Sequence, residues 1–562
     1  MPTLFRLLLV SLVVVVAARP LAAETPWTLE RLDLEVELLP EEGIARIRGT
    51  STLRHGGNLP DAGPVLGVNA GERVVRFLEV EAISPRRPHA PIEPQNLEDT
   101  ESEVAAVRFD PPLPPGSEVT VEFRLETTGR ASQLVVDRGF ALASWVEAWY
   151  PVPGDPGDGF GSPVAPGSTT IRMPAGWRAV APGELVEVLE HEDERIETWR
   201  AEVPAARSFA AGPLTRIEVA DAGGVPVSFF VLAPAAGYAA RAALIGRAIN
   251  ALEQRFGPYP YPSWNVVEIP EELVTFAAAS EQGFIMVRSS VLANESGALP
   301  LFAHEAGHAW WGNRMRGRGP GSRMIGEALA QYGAVLAIET LEGHDAAVEF
   351  LRFSRDGYNP VQSALGYFYL VRRGEDEPLA VLTGPAAHNL SDSKGMWFHH
   401  MLRERMGDGP FFAALRALFK RFEGRRATLD DLRSIVLAAS DDPGMEAFLA
   451  QWLDRSGAPE IDLAWWSVDR GRGLEVTLEQ RQEGEPYRVE LDLAIDLLDG
   501  STAFERVVLD ERRRSYRFAV PHRAGGVRLD PRHRLLLWRP EYGPPPSREP
   551  PAADDPPPPA AS

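Results

Sequence analysis

The hydrophobic period of the sequence changes twice, and that sets the broad architecture. From about Trp27 to Ile217, short apolar runs alternate with Gly, Pro and Asp punctuation. Leu32-Asp33-Leu34-Glu35-Val36-Glu37-Leu38 and Val119-Thr120-Val121-Glu122-Phe123-Arg124-Leu125 both have a period of two. That period puts alternate side chains on one face of a strand, so the stretch predicts an all-β region of half-buried strands. The period then becomes helical. Ile245, Ile249, Leu252 and Phe256 recur at spacings of four, three and four, and Gly257-Pro258 closes the helix. Further helices are predicted over Leu301–Met315, Ala328–Leu341, Gly395–Met406, Pro410–Phe422 and Met445–Asp454, with a strand at Asn265–Ile269. After Ala458-Pro459 the period returns to two. Leu474, Val476 and Leu478, then Val489, Leu491, Leu493, Ile495 and Leu497, predict a small β-sandwich. No internal repeat is visible.

At 562 residues the chain is too long for one core, which points to a multidomain α+β protein. The expected divisions are an export signal over 1–23, a β domain over 24–217, a mostly helical domain over 218–457 and a β-sandwich over 458–540. The last stretch, 541–562, is dominated by Pro, Ala, Ser and acids and reads as a disordered tail. The leader has Arg6, the apolar run Leu7–Ala18, and small residues at Ala22 and Ala23 before Glu24. It is short for a membrane span, so cleavage and a periplasmic or extracellular destination are expected, an uncleaved anchor being the alternative. No later segment is long and apolar enough to cross a membrane. The formal charge of −22 argues against a nucleic-acid partner. The absence of cysteine excludes disulfides, thiolate metal sites and cysteine nucleophiles, leaving His, Asp and Glu as metal donors.

His304-Glu305-Ala306-Gly307-His308 lies in a segment of helical character that begins near Pro300. Positions i and i+4 share a helix face, so two imidazoles can converge on one ion. Glu305, one residue round, can reach a water there without ligating the metal. A catalytic zinc needs a third protein ligand and one open position. Glu327, separated from His308 by eighteen residues, opens a second predicted helix and supplies it. One zinc ion is therefore expected on His304, His308 and Glu327, with Glu305 as general base. Two other histidine clusters lack the geometry. His191-Glu192 has Arg195 where a second histidine would fall, and His399-His400 are adjacent and point to different helix faces.

The run His304 to Asn313 (His-Glu-Ala-Gly-His-Ala-Trp-Trp-Gly-Asn), with Glu327 downstream, resembles the aminopeptidase N family of zinc peptidases, the gluzincins, which also include leukotriene hydrolase. Gly257 to Tyr261, Val266 to Pro270, Trp149-Tyr150-Pro151, Ile171 to Trp177 and Trp452 to Pro459 extend the resemblance over most of the chain. It implies a saddle-like N-terminal β domain, a thermolysin-like catalytic domain and a small β-sandwich, with the long helical C-terminal domain of many members missing. The family's Gly-Ala-Met-Glu-Asn motif falls on Ala278-Ala279-Ser280-Glu281-Gln282. The resemblance implies that Glu281 pairs with a peptide's free amino terminus and that Ala279 lines the adjoining pocket. It implies an aminopeptidase acting on peptides.

One departure is larger. The family usually has Tyr-x-Lys-Gly, whose phenol hydrogen-bonds the oxyanion of the tetrahedral intermediate, and this chain has Asp392-Ser393-Lys394-Gly395. An ionised aspartate only accepts hydrogen bonds and would repel an oxyanion, and loss of such a donor typically costs about 2.7–4 kcal/mol. Three expectations follow: slow or lost turnover, substitution by another donor such as Tyr367 or Tyr369, or a protonated Asp392. A peptidase not restricted to free amino termini, or a zinc-binding protein without turnover, are the competing functional expectations.

Overall fold

The computed structural model describes residues 25–548 apart from short stretches at 70–74, 86–88, 97–101, 128–133, 147, 155–161, 220–223, 235 and 275. The expected export signal and the end of the expected tail lie outside the described residues.

The N-terminal region is all β. A seven-stranded sheet runs in the order 184–190, 194–205, 165–174, 27–39, 44–55, 118–127 and 75–84, and two four-stranded sheets complete the region. The alternation read from the sequence is the burial pattern: Leu32, Leu34, Val36 and Leu38 face the core, as do Val119, Val121, Phe123 and Leu125.

The middle region is built on a five-stranded sheet, in the order Thr215–Val219, Val227–Val231, Trp264–Ile269, Phe284–Arg288 and Ala278–Ser280. Its three central strands are parallel, and both edge strands are antiparallel. The sheet thus takes in Thr215–Val219, which the sequence reading divided between two domains. Both faces are dry. Phe229, Val266, Ile285 and Val287 pack into the helical core, while Phe230, Val267, Ile269, Phe284 and Met286 complete the core of the N-terminal β region. Runs buried on both faces are what a parallel sheet requires.

Helix α1 (Tyr238–Phe256) buries Ile245, Ile249, Leu252 and Phe256, the predicted stripe. Helix α2 (Ala298–Gly307) crosses helix α3 (Glu327–Glu342), and helix α4 (Met396–Met406) packs on α3. The C-terminal region is a sandwich of two three-stranded sheets, with Leu474, Val476 and Leu478 facing Leu491, Leu493 and Ile495 across a dry interior. Part of the expected tail is packed. Tyr542 is buried and stacks on Phe368 with ring centroids 5.7 Å apart, and Ser547 Oγ donates to Glu460 Oε2 at 2.6 Å. The reading of disorder from 541 onward was too long, because an aromatic at Tyr542 finds a pocket that composition does not reveal. Among the described residues no helix is long and apolar enough to cross a membrane.

Candidate metal centre

Helices α2 and α3 cross closely because Gly307 lets them. A Cβ at Gly307 would lie 2.9 Å from Ala330 Cα and 3.0 Å from its carbonyl oxygen, both backbone atoms that cannot step aside. The crossing brings the first residue of α3, Glu327, to the face of α2 that carries His304 and, just past its end, His308. His304 Nε2 and His308 Nε2 are 3.1 Å apart, and Glu327 Oε2 lies 3.9 and 3.6 Å from them.

These separations fit a metal. Donors about 2.0–2.2 Å from a tetrahedral zinc stand roughly 3.3 Å from one another. The tautomers fit as well. His304 Nδ1 meets Gln331 Oε1 at 2.6 Å, and His308 Nδ1 meets the Trp311 carbonyl at 2.9 Å. Each acceptor takes the proton of a neutral imidazole at Nδ1, so both Nε2 lone pairs face the shared point. Two facing lone pairs beside a carboxylate are satisfied by a cation. Burial, with His308 beside it, pushes His304 down to about 3, so it stays the neutral ligand a metal needs. Burial opposes ionisation of Glu327, but the positive charges that His308, His388 and His304 carry when protonated, with Arg323, outweigh it and hold the carboxyl low in the metal-free chain.

The ligand atoms border a cavity of about 580 Å³, whose wall also includes Ala279, Glu281, Glu305, Tyr358 and His388. Glu305 is 7% exposed, and burial together with Glu327, Asp392 and Glu281 raises its carboxyl to about 8. Ala279 sits on the edge strand Ala278–Ser280, and Glu281 follows it. Glu281 is 2% exposed, and neither of its oxygens makes a hydrogen bond of regular geometry. Burial pushes it up to about 8, although Ser144, Ser208 and the Trp145 amide pull the other way. Asn313 ties this segment to the metal motif: its Nδ2 donates to Ser280 Oγ and to the Glu281 carbonyl, both at 3.1 Å. Gln282 Oε1 accepts from the Ala206 amide at 2.6 Å, anchoring the segment to the N-terminal region.

Asp392 is fully buried in a π-helical turn, Ser391–Gly395, that leads into α4. Gly395 allows that turn to lie against α3, since a Cβ there would meet the Ala328 Cβ at 2.8 Å. Gln362 Nε2 donates to Asp392 Oδ2 at 2.5 Å, and burial pushes the carboxyl up. Neither tyrosine named as a substitute donor reaches the cavity. Tyr367 donates to Asp376 Oδ2 at 2.9 Å, beside the buried Lys394, and Tyr369 lies under the Arg373 guanidinium. Sequence reasoning took both from the helix Ala364–Arg372 without knowing which way it turns. Three residues that it gave no role line the site or hold it. Gln331, one turn after Glu327, receives His304 and the Tyr358 hydroxyl on one oxygen. His388 stands one turn before Asp392. The helical spacing was the available signal for both Gln331 and His388. His399 and His400 are ordinary buried histidines, with Nε2 on the carbonyls of Met324 and His533.

Two histidines and a glutamate around one open cavity, on helices beneath a largely parallel sheet, form a donor set that could hold one zinc ion and leave a position open. Residues 242–452 match the peptidase family M1 domain, and over that stretch the chain is similar to aminopeptidases of that family. It is 25% identical over 243 residues to aminopeptidase M1-B of Oryza sativa subsp. japonica, a match covering 40% of this chain. That match covers a quarter, 25%, of the rice protein's own length. In fold the chain is similar to Legionella pneumophila aminopeptidase A, solved in complex with aspartic acid (TM-score 0.69, 17% identity, 92% of this chain and 60% of that one). It is also similar to the M1 zinc metallopeptidase of Deinococcus radiodurans (TM-score 0.60, 18% identity, 76% of this chain and 94% of that one).

Proposed function

We propose that the protein is an exported zinc aminopeptidase that removes residues from the free amino termini of peptides. The observation that carries the reading is Glu281, a buried carboxylate without a regular hydrogen-bond partner on the wall of the cavity that the metal donors share. A buried carboxylate left unpaired is costly, and a substrate's α-ammonium ends that cost. The adjoining edge strand Ala278–Ser280 offers backbone groups along which an extended peptide can lie, with Ala279 beside its first side chain.

His304, His308 and Glu327 would hold zinc, which when bound would supply Lewis-acid polarisation and lower the pKa of water toward neutrality. Glu305 takes the proton of the attacking water as the bond from water oxygen to carbonyl carbon forms. The carbonyl electron pair moves onto its oxygen. As the carbon–nitrogen bond breaks, the proton on Glu305 passes to the leaving amine. A carboxyl raised by burial is suited to both transfers.

Glu305→Gln keeps the ligands and removes the base. It should retain one zinc per chain by metal analysis and lose hydrolysis of alanyl or leucyl amides by about 10²–10⁴-fold. Unblocked peptides should be cleaved by the wild type and N-acetylated ones refused. Activity preserved in Glu305→Gln overturns the base assignment, and cleavage of acetylated peptides overturns the restriction to free amino termini.

A further inference from the structure

Beside the buried Asp392 stands His388, on the short helix Ala387–Leu390. Its side chain is half exposed and borders the cavity. His388 Nδ1 is 3.7 Å from Glu327 Oε2, and His388 Nε2 is 3.4 Å from Asp392 Oδ2. Asp392 is itself anchored by Gln362 Nε2 at 2.5 Å, with Ser391 Oγ at 3.4 Å from its other oxygen. A buried, anchored carboxylate thus faces one edge of the ring. The other edge lies on the side of Glu327 and the metal donors.

We propose that His388 donates a hydrogen bond to the substrate carbonyl oxygen as negative charge builds on it, and that Asp392 is the positioning residue that fixes the ring. The inference rests on the peptidase reading above. Asp392 is fully buried and does not line the cavity, so it is not placed to serve as this donor, but it can hold an imidazole one turn earlier. The neighbouring donors are otherwise engaged. The Tyr358 hydroxyl is given to Gln331 Oε1 at 2.9 Å, Tyr367 to Asp376, and the Gln362 amide to Asp392. Arg323 also borders the cavity and is the rival donor. His388 is flanked by two carboxylates that set its orientation.

The test uses the full-length zinc-loaded protein and the variants His388→Ala, Asp392→Asn, Tyr358→Phe and Arg323→Met, with zinc content and thermal melting checked for each. Calorimetry measures the affinity for a phosphinic pseudopeptide with a free amino terminus, a stable mimic of the tetrahedral anion, and for free alanine as a ground-state ligand. His388→Ala should weaken the phosphinate by about 10²–10³-fold, with alanine affinity and zinc content within about twofold. Asp392→Asn should lose part of that preference and lower kcat more than it changes KM, with the melting temperature held. Tyr358→Phe and Arg323→Met should keep the phosphinate preference. Unchanged phosphinate affinity in His388→Ala overturns the proposal, as does its loss in Tyr358→Phe or Arg323→Met instead. The two readings fail separately. A wild type that hydrolyses no aminoacyl amide, yet binds phosphinate through His388, defeats the peptidase reading alone; hydrolysis undiminished in His388→Ala defeats only this one.

Discussion

At the scale of single residues, the histidines of this chain divide by what their nitrogens face. His304 and His308 are fixed through Nδ1 and keep Nε2 for a metal, whereas His399 gives Nε2 to the Met324 carbonyl and has no partner at Nδ1. Burial lowers His399 from 6.5 to about 4. Its folded pKa is depressed, so the unfolded chain takes up the proton first as pH falls. Folding stability is whole above pH 6.5 and is lost progressively as pH drops toward 4. Between pH 7 and 5 the loss is about 2 kcal/mol by linkage. Denaturant melts of metal-free protein should show that drop, and His399→Gln, which keeps a donor for Met324, should flatten it. Equal slopes in the two proteins would remove His399 as the cause. The candidate metal donors could be picked out in the sequence because their spacing is local: one helical turn for the histidines and the opening of the next helix for Glu327. His388 was not legible. Its spacing to Asp392 is helical too, but the segment passes into a π-turn at Ser391–Gly395, and only the folded chain shows which wall that turn faces.

At the scale of elements, the metal geometry is set by how nearly α2 and α3 touch. Gly307 meets the Ala330 backbone, whereas on α3 a Cβ at Gly333 would find nothing nearer than 3.6 Å. Gly307→Ala should force the helices apart, cost about 1–3 kcal/mol of stability and weaken zinc binding, because Glu327 moves away from the histidine pair. Gly333→Ala should be nearly silent. Competition against a chelator measures both, and wild-type zinc affinity in Gly307→Ala would show that the crossing does not set the ligand spacing. Periodicity located these helices to within a few residues, since each buries a stripe. It could not place the crossing, because a glycine required by a neighbouring backbone looks in sequence like any other glycine.

At the scale of the whole molecule, the proposed export implies a mature chain beginning at Glu24, which amino-terminal sequencing of the exported protein would read directly; a chain retaining Leu7–Ala18 would be an anchored one. The three-region plan was legible because the hydrophobic period changes where the architecture changes. The sharing of one sheet between two cores was not, since alternation within Val227–Val231 and Phe284–Arg288 is hidden when both faces are apolar. That shared sheet has a consequence in time. The last N-terminal β strand ends at Gly212, and the strands that close its core run on to Arg288, some 76 residues later. At about 5–20 residues per second the ribosome takes roughly 4–15 s over that interval. For those seconds the N-terminal strands exist without Phe230, Val267, Phe284 and Met286 to cover them, so their core closes only once the middle of the chain has been made.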